Sequence, residues 1–217
     1  MSKNTQYEKN VGSGMFERHY VKTIVDRISE ANNPLMQVVV GPRQTGKSTM
    51  LGQALAKIDT EQFFISADDA IVPSEEWLQV EWQQARNATR SGSCPVVLVV
   101  DEIQKVPHWS LVVKSLYDAD RRNDMPVRVV LSGSSSLLLH KGLEDSIMGR
   151  FELIHSPHWS YSECFQAFGF SFDDYLYYGG YTGAARFARD DARWISYIRE
   201  AIIEPTISQD VLALEDI

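Results

Sequence analysis

The sequence predicts an α/β fold: a central parallel sheet flanked by helices and built on a phosphate loop, followed by a small, mostly helical region. Three observations carry this. Apolar runs of strand length at 36–40, 96–100 and 127–131 alternate with segments of helical periodicity. The first run leads into Gly41-Pro42-Arg43-Gln44-Thr45-Gly46-Lys47-Ser48-Thr49, which matches G-x-x-x-x-G-K-[ST] between a strand and a helix. The run at 96–100 closes on two acids, Asp101 and Glu102.

In chain order, residues 1–14 are polar and read as a flexible lead-in. Phe16, Tyr20, Ile24 and Ile28 recur every four residues, predicting an amphipathic helix that Asn32-Asn33-Pro34 ends. Residues 36–40 form the first core strand, 47–58 the helix leaving the loop, and 62–66 a second short buried strand. Ser74-Glu75-Glu76 starts a helix, with acids in its first turn to oppose the dipole. It continues through Trp77, Leu78, Trp82 and Ala85 to Thr89, before Ser91-Gly92-Ser93 breaks the chain. The run at 96–100 is apolar throughout, as a parallel strand covered on both faces must be. Residues 109–122 place Trp109, Val112, Val113, Leu116 and Tyr117 on one helical face. Residues 127–131 and 151–154 complete five strands, joined by right-handed crossovers.

After about Ser156 the composition shifts. Aromatic residues crowd 159–181, strand-like runs stop, and 193–203 reads as a helix interrupted by Pro205. The expected organisation is a flexible 1–14, a phosphate-loop domain over 15–156 and a helical region over 157–217. The chain ends on Val211-Leu212-Ala213-Leu214-Glu215-Asp216-Ile217, without a polar tail, so a fragment of a longer protein is expected. Pro107-His108-Trp109-Ser110 recurs as Pro157-His158-Trp159-Ser160; the flanks share nothing, only the first copy leads into an obvious amphipathic helix, and the match reads as coincidence.

With 44% hydrophobic and 23% charged residues in 217, the chain has the composition of a globular protein with a real core. No apolar run approaches membrane-spanning length and no hydrophobic signal core opens the sequence, so a cytoplasmic protein without membrane attachment is expected. Cys94 and Cys164 form no redox or metal motif and are expected as reduced structural thiols. The net charge of −8 is uneven: residues 1–150 hold 17 basic and 18 acidic side chains, and 151–217 hold 4 and 11. No basic stripe for duplex nucleic acid is present, so charge does not support a nucleic-acid partner.

The loop's chemistry follows from its residues. Gly41 and Gly46 allow positive φ and close approach, and the backbone amides with the helix N-terminus make an anion nest. Lys47 supplies a cation for the β- and γ-phosphates, and Ser48 a hydroxyl for Mg²⁺. Asp101, at the end of its strand, is placed to hold the metal through water, and Glu102 to polarise the attacking water. Ser132-Gly133-Ser134 ends another strand at the ligand edge; against this, serine- and glycine-rich turns after strands are common. Arg150 reads either as an arginine finger or sensor, in cis or across a subunit boundary, or as a salt-bridged surface residue. His155 and His158 lack a third ligand nearby, and structural or solvent roles are favoured. The tryptophans read as core, and residues 18–20 are adenine-contact candidates by position alone.

Together, residues 41–49, Asp101-Glu102-Ile103-Gln104-Lys105-Val106-Pro107-His108-Trp109, Leu131-Ser132-Gly133-Ser134-Ser135 and Gly149-Arg150 resemble one family. It is that of the bacterial and archaeal AAA-type ATPases that carry a second domain of unknown function. The resemblance spans about residues 16–200 and extends to Tyr161-Ser162-Glu163 and Gly179-Gly180-Tyr181, with Thr182 where relatives usually have Pro. It implies a P-loop NTPase of the additional-strand, AAA-like type and a γ-phosphate sensor at Ser134, with Ser132 next. By the family's length, roughly half the protein would lie beyond Ile217. The resemblance, with the absence of Asn-Lys-x-Asp, points to ATP rather than GTP. The expected function is Mg²⁺-dependent ATP binding and slow hydrolysis, with a homo-oligomer and an unidentified protein partner compatible with it. The alternatives are an ATP-gated switch or scaffold with little turnover, a nucleic-acid-stimulated ATPase and, third, a small-molecule kinase.

Overall fold

A computed structural model describes residues 15–30, 35–91, 95–134 and 147–207. The expected lead-in at 1–14, the turn at Asn32-Asn33-Pro34, Gly92-Ser93, Cys94, Ser135-Ser136 and the run 211–217 lie outside the described residues. The chain divides into two compact units, Met1–Val40 with Lys47–His155, and Gly41–Gly46 with Ser156–Ile217.

The first unit is built on a five-stranded sheet. Its strands are β1 (Met36–Gly41), β2 (Gln62–Ser66), β3 (Val96–Asp101), β4 (Val127–Ser134) and β5 (Phe151–His155), in the order β2-β3-β4-β1-β5. β1 pairs with β5, β2 with β3 and β3 with β4, each in parallel. The helices are α1 (Tyr20–Ser29), α2 (Lys47–Leu55), α3 (Glu75–Ser91) and α4 (Trp109–Arg122). Alternation along the central strands explains the layering, because successive side chains point to opposite faces. Val38, Val40, Val96, Leu98 and Val100 pack with Leu78 and Trp82 of α3 and Trp109 and Val113 of α4. Val39, Val97, Val99 and Val130 pack with Val21 and Ile24 of α1 and Met50, Leu51 and Ala54 of α2.

Three expectations shift. α1 begins at Tyr20 rather than Phe16, and its buried stripe is Val21, Ile24 and Ile28, so Phe16 lies in the lead to the helix. α2 ends at Leu55 rather than 58. β2 is half-buried rather than buried, because it is an edge strand. Ser74 caps α3 as expected, its hydroxyl accepting from the Trp77 amide at 3.2 Å. A buried polar knot ties α3 to α4: Asp120 accepts from Trp82 Nε1 at 2.7 Å and from Arg86 Nε at 2.6 Å.

In the second unit, Ser160 and Glu163 form a capping box at the start of α5 (Tyr161–Phe168), and Ser171 and Asp174 repeat it at α6 (Phe172–Tyr178). The short α7 (Thr182–Ala185) and α8 (Asp191–Ile198) follow. The second Pro-His-Trp-Ser therefore does lead into a helix, but out of phase with the first: Ser160 caps α5, whereas Trp109 already opens α4. Aromatic contacts fill the unit, with Trp159 stacked on Phe168 at 5.3 Å and Tyr178 meeting Trp194 edge-on at 5.6 Å. α8 continues into a π-helical turn, Arg199–Ile203. Helical winding runs on to residue 207, so Pro205 widens the helix instead of ending it. Pro205 has no N–H to give the Ala201 carbonyl. That carbonyl accepts from Gln44 Nε2 at 3.3 Å instead.

Candidate active site

In the parallel sheet the chain leaves β1 for the far edge and returns through β3 and β4 to β1's side, and open sheets of this kind bind ligands at the strands' C-terminal ends. Asp101 ends β3 and Ser132 and Ser134 close β4, all three buried. Lys47, also buried, opens α2. Ser48 Oγ donates to Asp101 Oδ2 at 2.5 Å. Asp101 Oδ1 accepts from Ser132 Oγ and, at 3.1 Å, from the Glu102 amide. Of the two serines, Ser132 therefore orients the Asp101 carboxylate. Ser134 Oγ instead accepts from Gln104 Nε2 at 3.1 Å, and the same nitrogen donates to Glu102 Oε2 at 2.5 Å. Glu102 stands at φ 52°, ψ 40°, a left-handed conformation that turns the chain from β3 into a 3₁₀ turn, Ile103–Lys105. Strained backbone of this kind concentrates at functional positions. The structure thus brings Lys47 and Ser48 onto one helix start, and Ser48, Asp101, Ser132, Glu102, Gln104 and Ser134 into one hydrogen-bonded chain.

The loop's two glycines do different work from each other. Gly46 has φ +83°, with open space where a Cβ would stand. Gly41 carries no such φ; a Cβ there would meet Ser156 O at 2.0 Å, so it is needed for close approach. The other left-handed loop residue is Gln44, at φ 60°. Its carbonyl accepts from Thr182 Oγ1 at 2.8 Å, its Oε1 from the Tyr197 hydroxyl at 2.9 Å, and its Nε2 donates to Ala201 O. Thr45 Oγ1 closes the turn onto Pro42 O at 3.0 Å, and Thr45 O accepts from Trp159 Nε1 at 3.0 Å. Gly180 sits where a Cβ would strike Trp159 O at 2.3 Å, which keeps the indole's backbone in place. Pro42 and Arg43 are half-buried, whereas Ser48 and Thr49 are exposed.

Arg150 is not brought to this edge. It precedes β5, its carbonyl accepting from the Met36 amide at 2.9 Å, and so stands at the opposite, N-terminal end of the sheet. Its guanidinium grips Asp118 of α4 with two bonds, Nε–Oδ1 at 2.7 Å and Nη2–Oδ2 at 3.0 Å. That bond holds the Asp118 carboxyl below the usual range and raises Arg150. β5, at about 3.3 Å per residue, separates Arg150 from the C-terminal ends of the strands. Arg18 is buried with its guanidinium 4.9 Å from the Tyr20 ring centroid, and His158 packs against Tyr181. Cys164 is a buried free thiol. Among the described residues no group of three or more His, Cys, Asp or Glu is arranged to hold a metal ion, and no helix is long and apolar enough to cross a membrane.

Sequence reasoning missed Gln104 as a site residue and Trp159, Thr182 and Tyr197 as anchors of the loop. The only signals were Gln104's place in the Asp101-Glu102-Ile103-Gln104 run and Thr182's departure from the family's Pro.

Comparison with known proteins agrees with this geometry. Residues 33–165, well over half of the chain, match the model of the AAA_14 family, described as an AAA domain. An uncharacterized protein of Methanocaldococcus jannaschii, MJ1637, is 27% identical over 141 residues, covering 58% of this chain and 27% of that protein. The chain thus spans about a quarter of the length of the curated relative it matches. Among solved structures, the Aeropyrum pernix Orc1 protein in complex with DNA is similar with a TM-score of 0.57 at 12% identity, over 74% of this chain and 50% of that one. PCH-2 of C. elegans gives 0.54 at 14% identity, over 81% and 52%. A structure from a study of katanin self-assembly gives 0.51 at 20%, over 74% and 58%. These likenesses establish the fold, an α/β P-loop NTPase with the AAA strand order. Matched by the family model over residues 33–165, the chain belongs to the AAA domain family, whose function is nucleotide binding of the ATPase type.

Proposed function

We propose that this chain binds ATP with Mg²⁺ and hydrolyses it slowly to ADP and phosphate. The observation that carries the reading is the bonded chain from Ser48 through Asp101 to Ser132, with Glu102 alongside. In this reading the N–H groups of Gly41, Arg43, Gln44, Thr45, Gly46 and Thr49, with Lys47 and Ser48, bind the phosphates, and Pro42, which has no N–H, shapes the loop without donating. The hydroxyl of Ser48 and the carboxylate of Asp101 form a hard oxygen donor set that fits Mg²⁺ and would hold it. Held there, Mg²⁺ would supply charge neutralisation at the phosphate chain. Glu102 takes a proton from the attacking water, and Ser134 contacts the γ-phosphate. Arg150 acts on a neighbouring subunit's nucleotide, which its position across the sheet favours over a role in cis. A homo-oligomer follows from that role, and self-assembly described for katanin is consistent with it. Residues 15–156 form the ATPase domain in this reading and 157–217 a helical region. In this reading the protein works in the cytoplasm.

Phosphate release and MgATP binding test the reading. Lys47→Ala should abolish ATP binding, and Glu102→Gln should bind ATP but stop release; unchanged release by Glu102→Gln refutes the assignment.

A second reading, an ATP-gated switch with little turnover, is favoured by the bonds that tie Gln44 and Thr45 to Trp159, Thr182, Tyr197 and Ala201. Turnover that rises many-fold with protein concentration separates the assembled ATPase from the switch. Orc1 binds DNA in its solved complex. A nucleic-acid-stimulated ATPase is opposed here by the acidic balance, and a turnover rate indifferent to added DNA or RNA removes it.

A further inference from the structure

The Asp101-Glu102-Ile103-Gln104 run puts a carboxamide two residues beyond the proposed base, and the 3₁₀ turn folds it back over that base. Gln104 Nε2 donates both to Glu102 Oε2 and to Ser134 Oγ. The orientation of the amide is dictated by its partners. A carboxylate oxygen accepts, so the nitrogen faces Glu102 and the carbonyl oxygen takes the other branch of the amide. That oxygen, Oε1, is buried and has no hydrogen-bond partner among the described residues. Buried polar atoms are rarely left so, and each one that is calls for a cause such as stored strain, a catalytic role or a bound water.

We propose that Gln104 belongs to the hydrolytic machinery: its nitrogen joins Glu102 to Ser134, and its Oε1 accepts one hydrogen of the water that Glu102 activates. The inference rests on the ATPase reading above. The water has two hydrogens. One goes to Glu102 as the water oxygen bonds to the γ-phosphorus; the other stays hydrogen-bonded to Oε1 and fixes the direction of the lone pair. The bond from the γ-phosphorus to the β,γ-bridging oxygen breaks, and its electron pair leaves on ADP. Glu102 then returns its proton to the product phosphate. Because one nitrogen holds Glu102 and Ser134 together, a γ-phosphate that draws on the Ser134 hydroxyl also sets the position of the base.

The test measures MgATP binding at equilibrium and phosphate release, in steady state and single turnover, on the full chain. The variants are Gln104→Ala, Gln104→Glu, Ser134→Ala, the double variant Gln104→Ala with Ser134→Ala, and Glu102→Gln. Gln104→Glu keeps the side chain's shape but turns the donor facing Glu102 into an acceptor. Both Gln104 variants should lose about ten- to a hundredfold in kcat, less than the roughly hundred- to ten-thousandfold of a general base because Glu102 itself remains, while the Kd for MgATP stays within about twofold. The double variant should be no slower than the slower single one, because the residues act as a unit. Three results overturn the inference: Gln104→Glu turning over at the wild-type rate, losses that multiply in the double variant, or a kcat loss matched by weaker ATP binding and a lower Tm. With Glu102→Gln inactive, any of these leaves the ATPase reading standing. Wild-type protein that releases no phosphate overturns both.

Discussion

Gln44 offers a direct measure of how far the helical segment shapes the phosphate loop. Its φ of 60° costs a non-glycine residue about 1–2 kcal/mol. Hydrogen bonds from Thr182 and Tyr197, and one to Ala201, hold it there. Each is worth about 1 kcal/mol net, so together they offset the strain. Tyr197→Phe deletes one bond and keeps the ring beside Arg186 and Phe187. Thr182→Val deletes another with little change of shape. If the loop must hold this conformation to bind ATP, each variant weakens binding by about fivefold and the pair by about thirtyfold, at about 1.4 kcal/mol per tenfold. Gln44→Gly loses both side-chain bonds but sheds the φ penalty, so it should bind about fivefold more tightly than Gln44→Ala. Titration calorimetry with MgATP reads these differences, and thermal melts report any loss of fold. A double variant that melts earlier but binds ATP within twofold of wild type refutes the reasoning, since the bonds would then serve the helices alone.

Two further outcomes follow from the sheet-bearing unit. Asp120→Ala leaves Arg86 and the Trp82 indole N–H without their buried acceptor and should cost about 3–5 kcal/mol in urea unfolding; a loss below about 1 kcal/mol would show the knot to be slack. Asp118 titrates below its unfolded value because Arg150 bonds its carboxylate, so its contribution is present above a pH of about 4 and fades as pH falls through the lower folded value. Both partners are about a third exposed, so the effect is small. Asp118→Asn should flatten that acid limb of the stability curve, and a wild-type slope retained in the variant contradicts the pairing.

The features legible in the sequence are those set by short-range pattern. The run at 96–100, and that at 36–40 apart from Gln37, are apolar without alternation because β3 and β1 are covered on both faces, as an interior parallel strand requires. The loop glycines and the acid pair after β3 are legible because phosphate chemistry demands those residues at fixed offsets. What could not be read depends on distant partners. β2 was expected to be buried, but Phe63, Phe64 and Ile65 are equally apolar in an edge strand, and only the strand order reveals the edge. Trp159 was read as core, and it is buried, yet its N–H serves the loop more than a hundred residues earlier. Arg150 was weighed between finger and salt bridge; its bond to Asp118 becomes visible only once α4 and the start of β5 are in place.

Gln44 shows why such dependence is more than decoration. A glycine at that position would reach positive φ unaided, as Gly46 does, and residue 44 would hold its conformation without Thr182, Tyr197 or Ala201. A glutamine cannot, so its conformation persists only while Thr182, Tyr197 and Ala201 hold it. Ala201 is available because Pro205 cannot use its carbonyl, so a proline far along the chain frees the acceptor that steadies a loop residue. Coupling of this kind is reciprocal. Whatever free energy the helical segment lends to the loop's nucleotide-binding shape, a bound nucleotide must return to the segment. Residues 41–46 then act as the shared element through which phosphate binding and the order of α7, α8 and the π-helical turn set one another.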